Sequence, residues 1–233
     1  MGLSLSDQLP SRRRFLQATL TGTALGLVTS ALEFTTPLPA RAQSTLTPDA
    51  ALAQMMDGNK RFTAGRLTAH EQDLAILKQQ TVDKQEPFAA VLSCADSRVP
   101  VELVFDQSIG HVFVTRVAGN VVTPEIIGSL EYGAAVLGTK VILVMGHSSC
   151  GAVKATIQGK EVPGQISVLF PRIRPAVDQA GENLETATKA NAKIQASLLR
   201  EGSPLISGLV KQGQLKVVGA YYNLGTGAVE LLE

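Results

Sequence analysis

The sequence is poor in cysteine, histidine and aromatic residues. It has two cysteines, three histidines and no tryptophan in 233 residues, and aromatics make up 4%. Two cysteines allow one disulfide at most, so a disulfide-rich scaffold is excluded. Neither sign of charge dominates: 21 Lys and Arg stand against 20 Asp and Glu, a formal net charge of +1. With no basic stripe, nothing suggests a nucleic-acid surface. There is also no comfortable membrane span. The most apolar early stretch, about residues 18–32, is broken by Gly22 and Gly26 and dotted with threonine, and it is short for a bilayer. Repeats are absent, and no linker follows Gln43. The length therefore reads as one domain with an N-terminal extension, large enough for a substantial core.

That extension has a recognisable order. Ser11-Arg12-Arg13-Arg14-Phe15-Leu16-Gln17 is a twin-arginine export pattern, the weakly apolar stretch follows, and Ala40-Arg41-Ala42 supplies an A-x-A cleavage site. The alternatives are a basic tail with a short amphipathic helix and an uncleaved signal retained as an anchor. We expect residues 1–42 to be an export signal cut after Ala42, and residues 43–233 to be a single folded domain. It would act in the periplasm or an equivalent space, with no stable membrane span after cleavage. The partner for export would be the twin-arginine translocation machinery, which carries folded proteins. The first 42 residues hold four arginines and two acids, which leaves 17 basic and 18 acidic residues beyond them.

The scarce residues are concentrated at two places. Phe88-Ala89-Ala90-Val91-Leu92-Ser93 runs into Cys94-Ala95-Asp96-Ser97-Arg98, and Val141-Ile142-Leu143-Val144-Met145-Gly146 runs into His147-Ser148-Ser149-Cys150. Apolar runs ended abruptly by polar residues read as buried strands of a parallel sheet, and ligands bind beyond the carboxyl ends of such strands. Two thiolates and an imidazole suit zinc, with the fourth position open or taken by Asp96. Arg98, two residues from Asp96, can hold its carboxylate in a charge-assisted, bidentate pair. Each motif alone is weak, since a buried cysteine is more often a small hydrophobe. A zinc site, a Cys94–Cys150 disulfide and two inert core thiols all remain open on the pattern.

Cys94-Ala95-Asp96-Ser97-Arg98 followed by Gly146-His147-Ser148-Ser149-Cys150-Gly151 resembles the β-class carbonic anhydrases. Asp57-Gly58-Asn59-Lys60-Arg61-Phe62, Arg116-Val117-Ala118-Gly119-Asn120 and Ser129-Leu130-Glu131-Tyr132 extend the resemblance over roughly residues 48–232. The resemblance implies one zinc per chain on Cys94, His147 and Cys150. It implies reversible hydration of carbon dioxide to bicarbonate and a proton by zinc-bound hydroxide, oriented by an Asp96–Arg98 dyad. In a closed, inactive state Asp96 would become the fourth ligand. Gln85, Phe113 and Tyr132 match a plant-type substrate pocket. A homodimer or higher homo-oligomer is implied, with the active site at the dimer interface. Some relatives bind regulatory bicarbonate beside a tryptophan three residues before the first cysteine. Here that position is Val91 and the chain has no tryptophan, so that form is not expected. Carbonyl sulfide or carbon disulfide hydrolysis on the same fold is the alternative activity. A zinc-binding protein with a dead site and a disulfide-stapled module are the readings from other classes.

Strands alternating with helices predict an α/β fold. Its central sheet would be mostly parallel, with about four parallel strands and a C-terminal antiparallel edge strand, flanked by helices and preceded by a helical arm. Thr47-Pro48-Asp49 and Thr123-Pro124-Glu125 each read as cap, first-turn proline and favourable acid. Further helices are expected over 69–80, up to about Leu137, over 166–180 with interruptions at Pro171 and Pro175, and over 183–201. The last is rich in alanine and lysine, and we expect it to lie on the surface. Arg116 reads as structural. His70 and His111 could shuttle protons by their chemistry but read as ordinary surface histidines.

Overall fold

The computed structural model describes residues 44–69, 75, 81–82 and 84–232. The export segment, His70 and almost all of the helix expected over 69–80 lie outside the described residues.

The order of elements is α1 (Pro48–Thr63), β1 (Ala89–Ser93), α2 (Val101–Val104), β2 (Val112–Arg116), α3 (Pro124–Glu131), β3 (Val141–His147), α4 (Gly151–Gln158), α5 (Phe170–Ala180), α6 (Leu184–Gly202), α7 (Pro204–Lys211), β4 (Lys216–Tyr222) and β5 (Val229–Leu232). The strands form one sheet in the order β2-β1-β3-β4-β5. The first four strands are mutually parallel and β5 is antiparallel to β4, as the alternation of strands and helices predicts. Every residue of β1 and β3 is buried, because both faces of a parallel sheet are covered.

Side chains alternate across the sheet with a period of two. Val141, Leu143 and Met145 of β3 meet α1, α2 and Phe105 on one face. Ile142 and Val144 meet Ile126, Leu130, Ala196, Leu199 and Ile206 on the other. Thr47 caps α1 by accepting the Ala50 N–H at 3.2 Å, and Thr123 caps α3 by accepting that of Ile126 at 3.4 Å. Asn59 ties α1 to the far end of the sheet. Its amide donates to the Val104 and Gly227 carbonyls and its oxygen accepts the Val229 N–H. Gly58 lies so close to the Phe105 carbonyl that a Cβ there would stand 1.7 Å from the oxygen.

Two helices differ from expectation. The helix opened at Pro124 does not run on as an α-helix to Leu137. It widens into a π-turn over Tyr132–Val136, closed by Leu137 N–H donating to the Tyr132 carbonyl. The widening sets Gly133 against the ring of Phe113, and such bulges mark places where a local contact overrides α geometry. The second is α6, which is not a surface helix. Ala187, Thr188, Asn191, Ala192, Gln195, Ala196 and Leu199 are buried. Its face is small and packs against β3 at Gly146, where a Cβ would meet Thr188 Cγ2 at 3.0 Å. Low hydropathy hid a helix buried through close approach rather than through large apolar side chains. Pro171 sits in the first turn of α5, after a 3-10 segment over Gly164–Leu169, and Pro175 lies inside that helix.

Candidate metal centre

Two parallel strands set side by side end at the same edge. Ser93 of β1 pairs with Met145 of β3, so the residues that follow, Cys94 on one strand and His147 on the other, meet beyond the sheet. Ser149, in the left-handed region at φ 58°, then turns the chain back. Cys150 enters as the cap position of α4. Ligand atoms of Cys94, His147 and Cys150 all lie within 4.8 Å of one another, and all three residues are buried. Both cysteines are free thiols, so the disulfide left open by the sequence does not form here.

The histidine is oriented for coordination. Its Nδ1–H donates to the Ser148 carbonyl at 2.9 Å, which leaves Nε2 with its lone pair. Nε2 is buried without a hydrogen-bond partner among the described residues, a costly state unless a ligand completes it. A carbonyl on the far nitrogen is the usual support for a metal-binding imidazole. A hydrogen bond from Cys150, helped by the Gly119 N–H, holds Cys94 below the ordinary thiol range despite burial. The same bond, with burial, pushes Cys150 up. Two sulfurs and one imidazole, buried and convergent, fit zinc or another thiophilic cation.

Asp96 and Arg98 form the pair the spacing suggests. Arg98 Nε donates to Asp96 Oδ1 at 2.9 Å and Nη2 to Oδ2 at 2.8 Å, and the Arg98 backbone N–H adds a third bond to Oδ1 at 2.9 Å. These bonds from Arg98 hold the Asp96 carboxyl well below the usual carboxylate range. Oδ2 lies 3.8 Å from His147 Nε2, so the carboxylate stands beside the cluster. Arg116 of β2 is structural, as its position suggested: it donates to the Cys94 carbonyl at 3.0 Å and to the Asp96 carbonyl at 2.5 Å.

Gln85, Phe113 and Tyr132 are not brought to this cluster within one chain. Gln85 precedes β1, at the amino end of the strand whose carboxyl end carries Cys94. Phe113 pairs with Ala90, early in β1. Tyr132 stands beside Phe113, with ring centroids 6.3 Å apart, and is 47% exposed. All three belong to the amino side of the parallel strands. His111 is exposed and lies edge-on to Phe88.

The sequence reading missed the layer behind the cysteines. Gly119 (φ 73°) and Asn120 (φ 44°) turn the loop after β2 so that the Gly119 N–H donates to Cys94 Sγ at 3.3 Å. Asn191 and Gln195 of α6, both fully buried, hold that loop from behind. Their four-residue spacing on a small-residue helix was the available signal.

The sequence profile of the carbonic anhydrase family matches residues 89–229. A carbonic anhydrase of Mycolicibacterium smegmatis is 35% identical over 199 residues, covering 79% of this chain and 93% of that protein. The structure of a Coccomyxa β-carbonic anhydrase in complex with acetazolamide superposes with a TM-score of 0.59 at 27% identity, covering 78% of this chain and 86% of that one. A tetrameric β-carbonic anhydrase of Sordaria macrospora shares the fold, with a TM-score of 0.61 at 21% identity over 78% of this chain and 96% of that one. With the matched region spanning β1 to β4 and all three residues of the Cys94–His147–Cys150 cluster, the chain belongs to the carbonic anhydrase family, in its β class.

Proposed function

We propose that this enzyme catalyses the reversible hydration of carbon dioxide to bicarbonate and a proton with one zinc per chain. The observation that carries the proposal is the buried Cys94–His147–Cys150 cluster with the Arg98-paired Asp96 carboxylate beside it. Cys94 Sγ, Cys150 Sγ and His147 Nε2 would hold the metal. Zinc, when bound, supplies the Lewis acidity that makes water nucleophilic near neutral pH. The protein's own groups do the rest. Arg98 keeps Asp96 ionised, so the carboxylate accepts a hydrogen bond from the attacking water and keeps that oxygen's lone pair aimed at carbon. Arg116 holds the loop that carries Asp96, and the Ser148 carbonyl keeps the imidazole turned. Asp96 engaged by Arg98 on both oxygens corresponds to the open arrangement; the Asp-ligated state would require that fork to break.

The amino-side positions of Gln85, Phe113 and Tyr132 support a homodimer or higher homo-oligomer in which these residues line the pocket at a neighbouring chain's centre. The tetrameric Sordaria macrospora relatives point the same way. Residues 11–17 and 40–42 support export of residues 43–233 by the twin-arginine machinery, for which N-terminal sequencing of the protein from the extracytoplasmic fraction should begin at Gln43. Among the described residues no helix is long and apolar enough to cross a membrane. No feature of the site favours hydrolysis of carbonyl sulfide or carbon disulfide.

The test is stopped-flow hydration of carbon dioxide by residues 43–233 with zinc quantified. Hydration that rises with pH at one zinc per chain is the expected result. Stoichiometric zinc without hydration at any pH would overturn the activity, and absence of zinc would overturn the site.

A further inference from the structure

Four hydrogen bonds run in one direction through the protein to the back of the metal centre. Gln195 Oε1 accepts the Val122 N–H at 2.7 Å, which fixes which end of that amide faces the loop. Gln195 Nε2 therefore faces away and donates to Asn191 Oδ1 at 3.2 Å and to the Arg172 carbonyl at 3.0 Å. Asn191 is left with its amide nitrogen toward the loop, donating to the Gly119 carbonyl at 2.8 Å. Gly119 in turn donates its N–H to Cys94 Sγ at 3.3 Å. Arg172 closes the ring by donating to the Val122 carbonyl at 2.9 Å. Each buried amide orients the next, so neither can flip without leaving a donor facing a donor.

The loop needs such a hold. Gly119 and Asn120 are consecutive residues at positive φ, and a Cβ at Gly119 would lie 2.8 Å from Ile173 Cδ1. A strained turn of this kind persists only when its surroundings over-determine it. The peptide carrying the N–H to Cys94 and the peptide held by Asn191 flank the same Cα, so rotation at Gly119 would break both bonds together.

We propose that Asn191 is a positioning residue of the metal centre, locked by Gln195, that aims the Gly119 N–H at the Cys94 sulfur and so sets how much charge that ligand delivers to the metal. The proposal rests on the zinc-site reading given above. Groups behind a ligand typically change metal affinity by about 10–100-fold when removed.

The test uses the full chain from Gln43 with Asn191→Leu, which keeps the bulk and removes the donor. Leu199→Ala, a buried apolar change on the same helix away from the loop, controls for lost stability. The readings are zinc affinity by chelator competition and the sulfur-to-cobalt charge-transfer absorption of the cobalt(II) form. Asn191→Leu should weaken metal binding by about 10-fold and shift that absorption, while Leu199→Ala lowers the melting temperature and changes neither. Unchanged affinity and absorption in Asn191→Leu would overturn the proposal, as would equal changes in Leu199→Ala. If Asn191→Leu does not fold, Gln195→Glu gives the same two readings, since it keeps the acceptor for Val122 and loses the donor to Asn191. A parent protein that binds no metal would instead overturn the zinc-site reading itself.

Discussion

The Asp96 carboxylate accepts three hydrogen bonds, all from Arg98, and is left facing His147. Charge, more than shape, is what it contributes. Asp96→Asn keeps the outline and removes the charge, so we expect carbon dioxide hydration to fall by about 100-fold or more while zinc content stays at one per chain. Full activity in that variant would remove Asp96 from the mechanism. Cys150→Ser removes a sulfur that nothing else nearby can replace. Zinc content measured after purification should fall well below one per chain, and unchanged content would mean the ligands are misassigned. At this scale the sequence was highly legible. Cys94, Asp96, Arg98, His147 and Cys150 are scarce or charged residues placed directly after apolar strands, so local spacing marked them as candidates, and the family resemblance supplied their roles. Asn191 and Gln195 were not legible, because amides on a helix give no sign of which loop carbonyl they will meet.

At the scale of elements, caps and strand patterns carried over well, and packing distances did not. Thr47 and Thr123 cap their helices as their neighbours imply. The burial of α6, by contrast, depends on β3 offering Gly146 opposite Thr188, a match between residues distant in sequence. The same close approach yields a prediction at α1. A methyl group at Gly58 would overlap the Phe105 carbonyl, so Gly58→Ala must push the helix off α2 and Phe105. We expect a loss of about 1–3 kcal/mol, as for other overpacked sites, read by denaturant unfolding. A variant as stable as the parent would show that α1 does not rest on Phe105. The π-turn after α3 belongs here too, since Phe113 on a different element is what meets Gly133.

For the whole molecule, Asp106 supplies a measurable acid dependence. Burial alone would raise its carboxyl, but N–H groups of Ala69 and Thr68, the Thr68 hydroxyl and the Arg61 guanidinium overcome this and hold it at about 2, below its ordinary 3.8. A carboxyl depressed in the folded state adds stability that is complete above its unfolded value and is lost as pH falls through its folded value. We therefore expect this group's contribution, about 2 kcal/mol, to disappear between about pH 4 and pH 2. Asp106→Asn should be less stable at neutral pH and lack that part of the acid slope. An identical slope in urea unfolding of the two proteins would refute the assignment. Assembly is the other property at this scale. Light scattering of residues 43–233 should give a dimer or larger, and an active monomer would mean that Gln85, Phe113 and Tyr132 do not serve a neighbouring chain.

By itself the sequence determined the α/β class, the strand ends, the helix caps and the side chains that could hold a metal. Each of these rests on hydrophobic period or on residues within a few positions of one another, and such short-range chemistry is written directly in the chain. Only the tertiary structure decided that Cys94 and His147 meet beyond one edge of the sheet, that α6 is buried, and that Asn191 reaches the carbonyl of Gly119. It alone also placed Gln85, Phe113 and Tyr132 on the amino side of the strands, away from the Cys94–His147–Cys150 cluster. These depend on strand order and on the fit between surfaces remote in sequence, and no local pattern encodes either.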